Sequence, residues 1–578
     1  MGITGDDTAL IHDARGRRWL LFRDPVAVYV ARAVDEVVPA LEAVERDVQC
    51  GLWAAGFVSY EASPGFDSAL AVRPDDGFPL LWFAVYREPQ EVTLDVLDQG
   101  AVSPIDWQPV LAEDEYRRSI EQVKEHIALG ETYQVNYTYR LRAPFAGDPY
   151  PLFARIIQAQ QCDYGAYVNT PDWTICCASP ELFFDLTDRE LTSKPMKGTA
   201  PRGLWYADDR RNADDLHDSA KNRAENVMIV DMVRNDMGRI ADLGSVEVTS
   251  LFEVEQYPTL WQMTSTVRCT TNAGMTEIFR ALFPPASITG APKTRTMQII
   301  AELENAPRRV YTGTVGFIAP DQRAQFNVAI RTVLVDKRLG IAEYGVGGGI
   351  VWDSTVGSEF EECLTKARVL TESPPEFSLL ETLLWTPGDG FHFLDRHLAR
   401  LMESAEYFGR TICIEDISHA LRESVTGTQP LRVRLVVPED GAPAIDVRPF
   451  TPHSGDYRVC LVKKPVDASN PFLYHKTTNR AVYEQAMREC TGYDDVLLWN
   501  EDGLLTESCI ANLVVEIDGE LFTPPIHCGL LPGIYRAHLL DQGEVQEREI
   551  SVDDLPRCTN VFLINSVRGM WDVKIDSL

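Results

Sequence analysis

The chain has 578 residues, 45% of them hydrophobic and 9% aromatic, with a formal net charge of -32. That length exceeds what one hydrophobic core covers and predicts about three or four domains, with apolar content ample for packing them. The acidic balance argues against a nucleic-acid or anionic-membrane partner, because such surfaces recruit Lys and Arg.

The N-terminus, MGITGDDTAL, has no basic region followed by an apolar run, so no secretory signal is expected. Asp6 breaks the myristoylation pattern that Gly2 would begin. No apolar run approaches the roughly 20 residues that span a bilayer, and the expected location is cytoplasmic. The 12 cysteines stand singly except for Cys176 and Cys177, without a C-x-x-C pair. In strand-like settings such as TICCAS and RVCLV, buried free thiols are expected rather than a zinc site.

Residues 1–110 contain short apolar runs (WLLF, VAVYV, LLWFAVY) broken by Gly and Pro, predicting a mainly β N-terminal part. From Asp114 the period changes: Tyr116, Ile120, Val123 and Ile127 recur at helical spacing, and Gly130 suits the position just past a helix end. QVNYTYRLRA follows as a strand, and strand–helix alternation is expected to about Leu370, making 111–370 a catalytic domain. The two prolines of TESPPE stop the preceding helix and predict a short linker over 371–376. A second enzyme-like unit is expected over 377–578.

Several segments carry chemistry-bearing side chains. Lys197 sits in SKPMKGT, with Glu181 upstream in SPELFF. An amine beside a glycine with a carboxylate nearby can be a covalent nucleophile if its ammonium is desolvated or crowded by cations; taken alone, it reads first as a solvated loop lysine. Glu225 shares a helical face with Met228, Met232 and Asn235, where a carboxylate is costly unless satisfied. Glu359 and Glu362 lie one helical turn apart in SEFEECLTK, a spacing equally common on solvated helices. Gly347, Gly348 and Gly349 alone would suit a tight turn, and Lys293 and Arg295 of GAPKTR would suit helix-start charges.

The ordered blocks GETYQVNYTYR, SPELFF, PMKGTAPR, AENVMIVDMVRND, SITGAPKTRTMQIIAELE, YTGTVG, IRT and GGGIVWDSTVGSEFEECLTKA, from Gly130 to Ala367, together resemble the chorismate-utilising enzymes. In that family the residue before the GT of the PMKGT-like block sorts the chemistry: alanine in anthranilate and isochorismate synthases, lysine in component I of aminodeoxychorismate synthase. This chain has Lys197 there. The resemblance implies large antiparallel sheets flanked by helices. It also implies Mg2+ on Glu225 and Glu362 with Glu359 in support, and chorismate held by Tyr311, Arg331, Lys366 and the backbone N–H groups of Gly347, Gly348 and Gly349.

The mechanism so implied has Lys197 attack C2 of chorismate while Glu181, as general acid/base, protonates the departing C4 hydroxyl. Ammonia then adds at C4 and displaces the lysine. Gln262 departs from the pattern, standing where many relatives carry histidine, so no titrating role transfers to it. No cysteine sits in a G-x-C-x-G elbow, so ammonia is expected from a separate glutamine amidotransferase subunit. SYEASPGFD, Ser59 to Asp67, resembles a segment that lines a tryptophan pocket in related enzymes and is taken as structural here.

The C-terminal blocks FSLLETLLW, RHLARLMESAEYFG, HKTTNR, GLLTESCIANLVV, LPGIYR and FLINSVRGMWDV resemble fold-type IV pyridoxal-phosphate enzymes, an α+β group that includes aminodeoxychorismate lyase. By position, Lys476 would carry pyridoxal 5'-phosphate, Glu507 would face the pyridinium nitrogen, and Arg400, Ser566 and the N–H groups of Ile534 and Tyr535 would hold the phosphate. Without the resemblance, Arg400 reads as an exposed helix arginine and Glu507 as a strand-start charge. Asn479 and Arg480 after Lys476 favour the lyase pattern over branched-chain aminotransferases, which have tyrosine. The unit begins inside the family's small domain, without its usual leading strand pair. The expectation is an α+β / α/β multidomain enzyme converting chorismate and ammonia to 4-aminobenzoate and pyruvate, for folate or a secondary metabolite. The alternatives are a C-terminal aminotransferase or a non-catalytic dimerisation module. A homodimer through the C-terminal domain is expected by family analogy only.

Overall fold

The computed structural model describes residues 5–74, 76–93, 105–371, 375–453 and 455–575. Part of the expected linker, residues 372–374, lies outside them. The chain forms two compact units, one of Met1–Pro201 with Ala213–Pro374, the other of Arg202–Asn212 with Pro375–Leu578.

The first unit contains two ten-stranded sheets whose strand pairs are all antiparallel. One core joins them face to face: Ala9, Ile11 and Phe22 of one sheet pack with Phe57, Trp82 and Phe317 of the other. A second core buries the outer face of the first sheet under helices Glu113–Ala128, Tyr150–Gln160, Lys293–Leu303 and Val356–Ala367, and a third covers the other sheet with helices Val34–Gln49, Ala220–Gly238 and Met275–Leu282. Layers of sheet on sheet with helices outside satisfy both apolar faces of each sheet.

Helix Glu113–Ala128 buries Tyr116, Ile120 and Val123, and Gly130 past its end takes a left-handed φ of 73°. Burying each of those side chains contributes about 1.5–3 kcal/mol. One expectation is extended and another corrected. The β-rich first 110 residues include the 16-residue helix Val34–Gln49, whose Val37, Leu41, Val44 and Val48 face the core and whose Glu36 caps the N–H groups of Arg32 and Ala33. The expected strand–helix alternation fails over Tyr164–Asn169, Trp173–Ser179, Leu182–Thr187, Glu190–Lys194 and Met196–Pro201, five strands in succession. Antiparallel neighbours need only tight turns, so no helix has to intervene.

One asymmetry creates a cleft. Strand Ile341–Ile350 pairs with Gln134–Pro144 along its whole length, but Thr332–Asp336 covers its other edge only from Ile341 to Tyr344. From Gly345 onward that edge is open. Gly347, Gly348 and Gly349 are therefore strand residues rather than a tight turn.

In the second unit a four-stranded sheet packs on helices Leu394–Tyr407 and Ile414–Ser424, and a nine-stranded mixed sheet forms the larger part. Within this unit Arg202 grips Asp209 through two hydrogen bonds of 2.8 and 2.7 Å and lies over the Tyr407 ring, and Trp205 stacks on Tyr474.

Candidate active sites

The open strand edge gives onto a cavity of about 380 Å³. Lys197, Glu181, Glu225, Glu359, Glu362, Lys366, Tyr311, Arg331 and the three glycines all line it. Lys197 lies in edge strand Met196–Pro201, where pairing with Leu260–Thr270 shifts register between Met196 and Thr199. Such a bulge re-aims the side chain it carries, and Gly198, at φ 99°, supplies the conformation it needs. Two amides clamp its backbone: Asn226 Nδ2 donates to the Lys197 carbonyl at 3.3 Å and Gln262 Nε2 to the Gly198 carbonyl at 2.8 Å. Gln262 thus serves as a backbone clamp at the histidine position.

Burial lowers the Lys197 ammonium from its ordinary range, and nearby Lys366 adds to this against the pull of Glu225. Glu181 is 3% exposed; its Oε1 accepts the Met196 N–H at 3.3 Å and Ser287 hydrogen-bonds it. Burial pushes its carboxyl up to about 7. An acid at that value exchanges its proton near neutral pH, as general acid–base work requires.

The carboxylates differ in state. Glu359 accepts the Ser354 hydroxyl at 2.6 Å and is raised by burial. Burial would also raise Glu362, but Lys366 at 2.5 Å, with Lys197 and Arg331, holds it below the usual carboxylate range. Lys366 also donates to the Gly347 carbonyl at 2.9 Å, and its own carbonyl accepts from Arg331 Nη1 and the Tyr344 hydroxyl. Among the described residues, no three His, Cys, Asp or Glu side chains converge on one point. Glu225 and Glu362, the expected pair, and Glu359 line one cavity, where Ser354 engages Glu359 and Lys366 engages Glu362. Carboxylate oxygens still suit magnesium, which needs only one or two of them when substrate and water complete its shell.

Tyr311 is buried beneath the Arg140 guanidinium, 4.9 Å from its ring centre, and a Cβ at Gly345 would overlap that ring. Lys293 lies outside the cavity, bonding Asp236 at 2.8 Å, and Arg295 pairs with Glu131; both are helix-start charges.

A second cavity, about 340 Å³, is lined by Lys476, Arg400, Glu507, Ile534 and Ser566, together with Gly533, Asn512, Tyr483, Arg432 and Arg434. Tyr535 is not part of its lining; the ring packs against Phe393. Burial, with Arg400 nearby, lowers the Lys476 amine to about 8, and burial raises Glu507 to about 7. The Tyr483 hydroxyl donates to Glu507 at 2.7 Å and Asn512 Nδ2 at 3.1 Å. Arg400 is buried and held fork to fork by Glu381 at 2.9 and 2.8 Å, with Nη1 on the Pro532 carbonyl. Its remaining N–H groups and the free N–H groups opening helix Ile534–Gln542 suit a phosphate. A lysine amine, a cationic cradle and a carboxyl on one cavity fit pyridoxal 5'-phosphate.

The chain belongs to the chorismate binding enzyme family, whose pattern matches residues 7–372. Residues 378–575 match the amino-transferase class IV family. The aminodeoxychorismate synthase of Streptomyces pristinaespiralis is 42% identical over 256 residues, 44% of this chain and 35% of that protein. Aminodeoxychorismate synthase component 1 of Salmonella typhimurium is 38% identical over 264 residues, 45% of this chain and 58% of that protein. The chain thus spans about a third to three-fifths of these relatives. The first unit's fold is that of anthranilate synthase component I from Streptococcus pneumoniae, with TM-score 0.54, 23% identity, and coverage of 64% of this chain and 93% of that one.

Sequence reasoning missed Asn226, Ser287, Ser354, Glu381, Tyr483, Asn512 and Gly533. Asn226, adjacent to Glu225, and Gly533, adjacent to Ile534, had a signal in a neighbour; the others support groups farther away in the chain.

Proposed function

We propose that the chain makes 4-aminobenzoate from chorismate and ammonia in two steps, the first at the Lys197 cavity and the second at the Lys476 cavity. One observation carries the first step: a desolvated lysine and a carboxyl near 7 share a cavity with three glutamates and three further cationic side chains, Lys221, Arg331 and Lys366. Lys197 Nζ bonds to C2 of chorismate, both ring double bonds shift, and the C4–O bond breaks with the Glu181 proton leaving in water. Ammonia then bonds to C4, both double bonds shift back, the Lys197 amine departs, and the new C4 ammonium returns a proton to Glu181, giving 4-amino-4-deoxychorismate. Arg331 and Lys366 offset the substrate's two carboxylates in an otherwise acidic protein. Glu225 and Glu362 would hold magnesium, which screens substrate charge and orients it.

In the second cavity, pyridoxal 5'-phosphate would supply an electron sink for loss of pyruvate from that product. Lys476 would hold it and move the proton at the substrate carbon, Glu507 would serve its ring nitrogen, and Arg400 with the Ile534 helix start would hold its phosphate. Ammonia would come from a separate glutamine amidotransferase, consistent with the absence of a G-x-C-x-G elbow.

The test is the purified chain with chorismate, ammonium and magnesium, products separated on a column. 4-Aminobenzoate and pyruvate are expected. Anthranilate would overturn the first step, and accumulating aminodeoxychorismate the second. Half-transamination with alanine would instead make the second unit an aminotransferase.

A further inference from the structure

Gln134 opens strand Gln134–Pro144 in the wall behind Lys197 and is 1% exposed. Neither its Nε2 nor its Oε1 has a hydrogen-bond partner. A buried amide without partners is uncommon in folded proteins and destabilises them, so its retention calls for a reason. Its surroundings supply one. Gly349 pairs with Asn136 and Ile350 with Val135, which lays the start of this strand beside the glycines, on the edge opposite the open one. A Cβ at Gly349 would overlap both the Gln134 amide nitrogen and Lys197 Nζ, so the two side-chain ends crowd one small volume that exists because residue 349 has no side chain.

As placed, two donor nitrogens face each other there. The two ends of a glutamine amide differ only by a half-turn of the terminal bond. Turned that way, Oε1 faces the lysine and the unmatched pair becomes an N–H···O hydrogen bond.

We propose that Gln134 is a positioning residue for Lys197. Its amide oxygen accepts one N–H of the lysine over Gly349 and fixes the direction of the nitrogen lone pair toward the substrate carbon. A neutral acceptor does this without adding an anion that would hold the lysine as ammonium. The inference rests on the reading of Lys197 as the nucleophile. It explains why a glycine stands at 349, since any side chain there would displace the lysine, the amide or both.

The test uses the full chain carrying Gln134→Met, which keeps the volume and removes the acceptor, with Gln134→Leu as a second variant should the first not fold. Lys197→Met is the control for the underlying reading. The expected result is a fall in kcat of about 10²-fold, the size typical of a misplaced reacting group. KM for chorismate stays within about threefold, because Gln134 acts on the nucleophile rather than on the bound substrate. The thermal midpoint is unchanged or raised, because an unpaired buried amide has been removed. A lowered midpoint with kcat and KM both impaired makes Gln134 a structural residue and overturns the proposal. Full kcat in Gln134→Met with an inactive Lys197→Met overturns it alone, whereas an active Lys197→Met overturns the nucleophile reading beneath it.

Discussion

Replacing Glu181 by glutamine separates its catalytic from its structural effect. The carboxyl is 3% exposed and burial moves it from 4.5 to about 7. The folded state therefore disfavours the anion. The gap corresponds to about 3 kcal/mol. Its sign follows from linkage: an acid raised on folding contributes no penalty below its unfolded value of 4.5, a growing one between 4.5 and about 7, and the full penalty above. The neutral isostere in Glu181→Gln escapes it. The variant should exceed the parent by about 3 kcal/mol at pH 8 and about 1.5 kcal/mol at pH 5.5. The readout is the guanidinium midpoint of the first unit's transition, since two units do not unfold as one two-state system. Turnover should move oppositely, falling about 10²- to 10⁴-fold because glutamine cannot protonate the departing hydroxyl. Turnover within threefold of the parent, or a stability difference that does not change with pH, would refute the reasoning.

Lys197→Ala should abolish aminodeoxychorismate formation on the same column assay while elimination from supplied aminodeoxychorismate continues. Gly349→Ala should lower kcat by about 10²-fold, because its methyl overlaps the Gln134 amide and the lysine nitrogen. Lys476→Met should raise the second unit's stability near pH 7 by about 3 kcal/mol. Its amine is lowered from 10.5 to about 8, so the folded state resists the cation, a penalty complete below about 8 and absent above 10.5; midpoints at pH 7 and 10.5 test this, and bound pyridoxal 5'-phosphate should no longer be retained on dialysis. Glu381→Gln should destabilise the second unit by about 3–5 kcal/mol, since it leaves the buried Arg400 without its charged partner, and should weaken pyridoxal 5'-phosphate binding by fluorescence titration.

The sequence alone determined what depends on local pattern and on residue type. Helical spacing from Tyr116 to Ile127 and the glycine after it define a helix whatever packs on it, because periodicity and left-handed φ are short-range properties. Reactive side chains such as Lys197, Glu181, Lys476 and Glu507 were legible because their chemistry resides in the residue and its ordered blocks. Helix Val34–Gln49 was not, its apolar spacing being embedded among strand-like runs, and neither was the succession of five strands, since pairing partners are distant in the chain. Only the tertiary structure decided that Gly347 to Gly349 form an open sheet edge rather than a turn, because that depends on where Thr332–Asp336 stops. It also decided the shifts at Glu181 and Lys476, which arise from the burial that surrounding elements impose. The supporting residues Gln134, Asn226 and Glu381 became visible only then, for each acts through a neighbour that folding, not sequence, brings within reach.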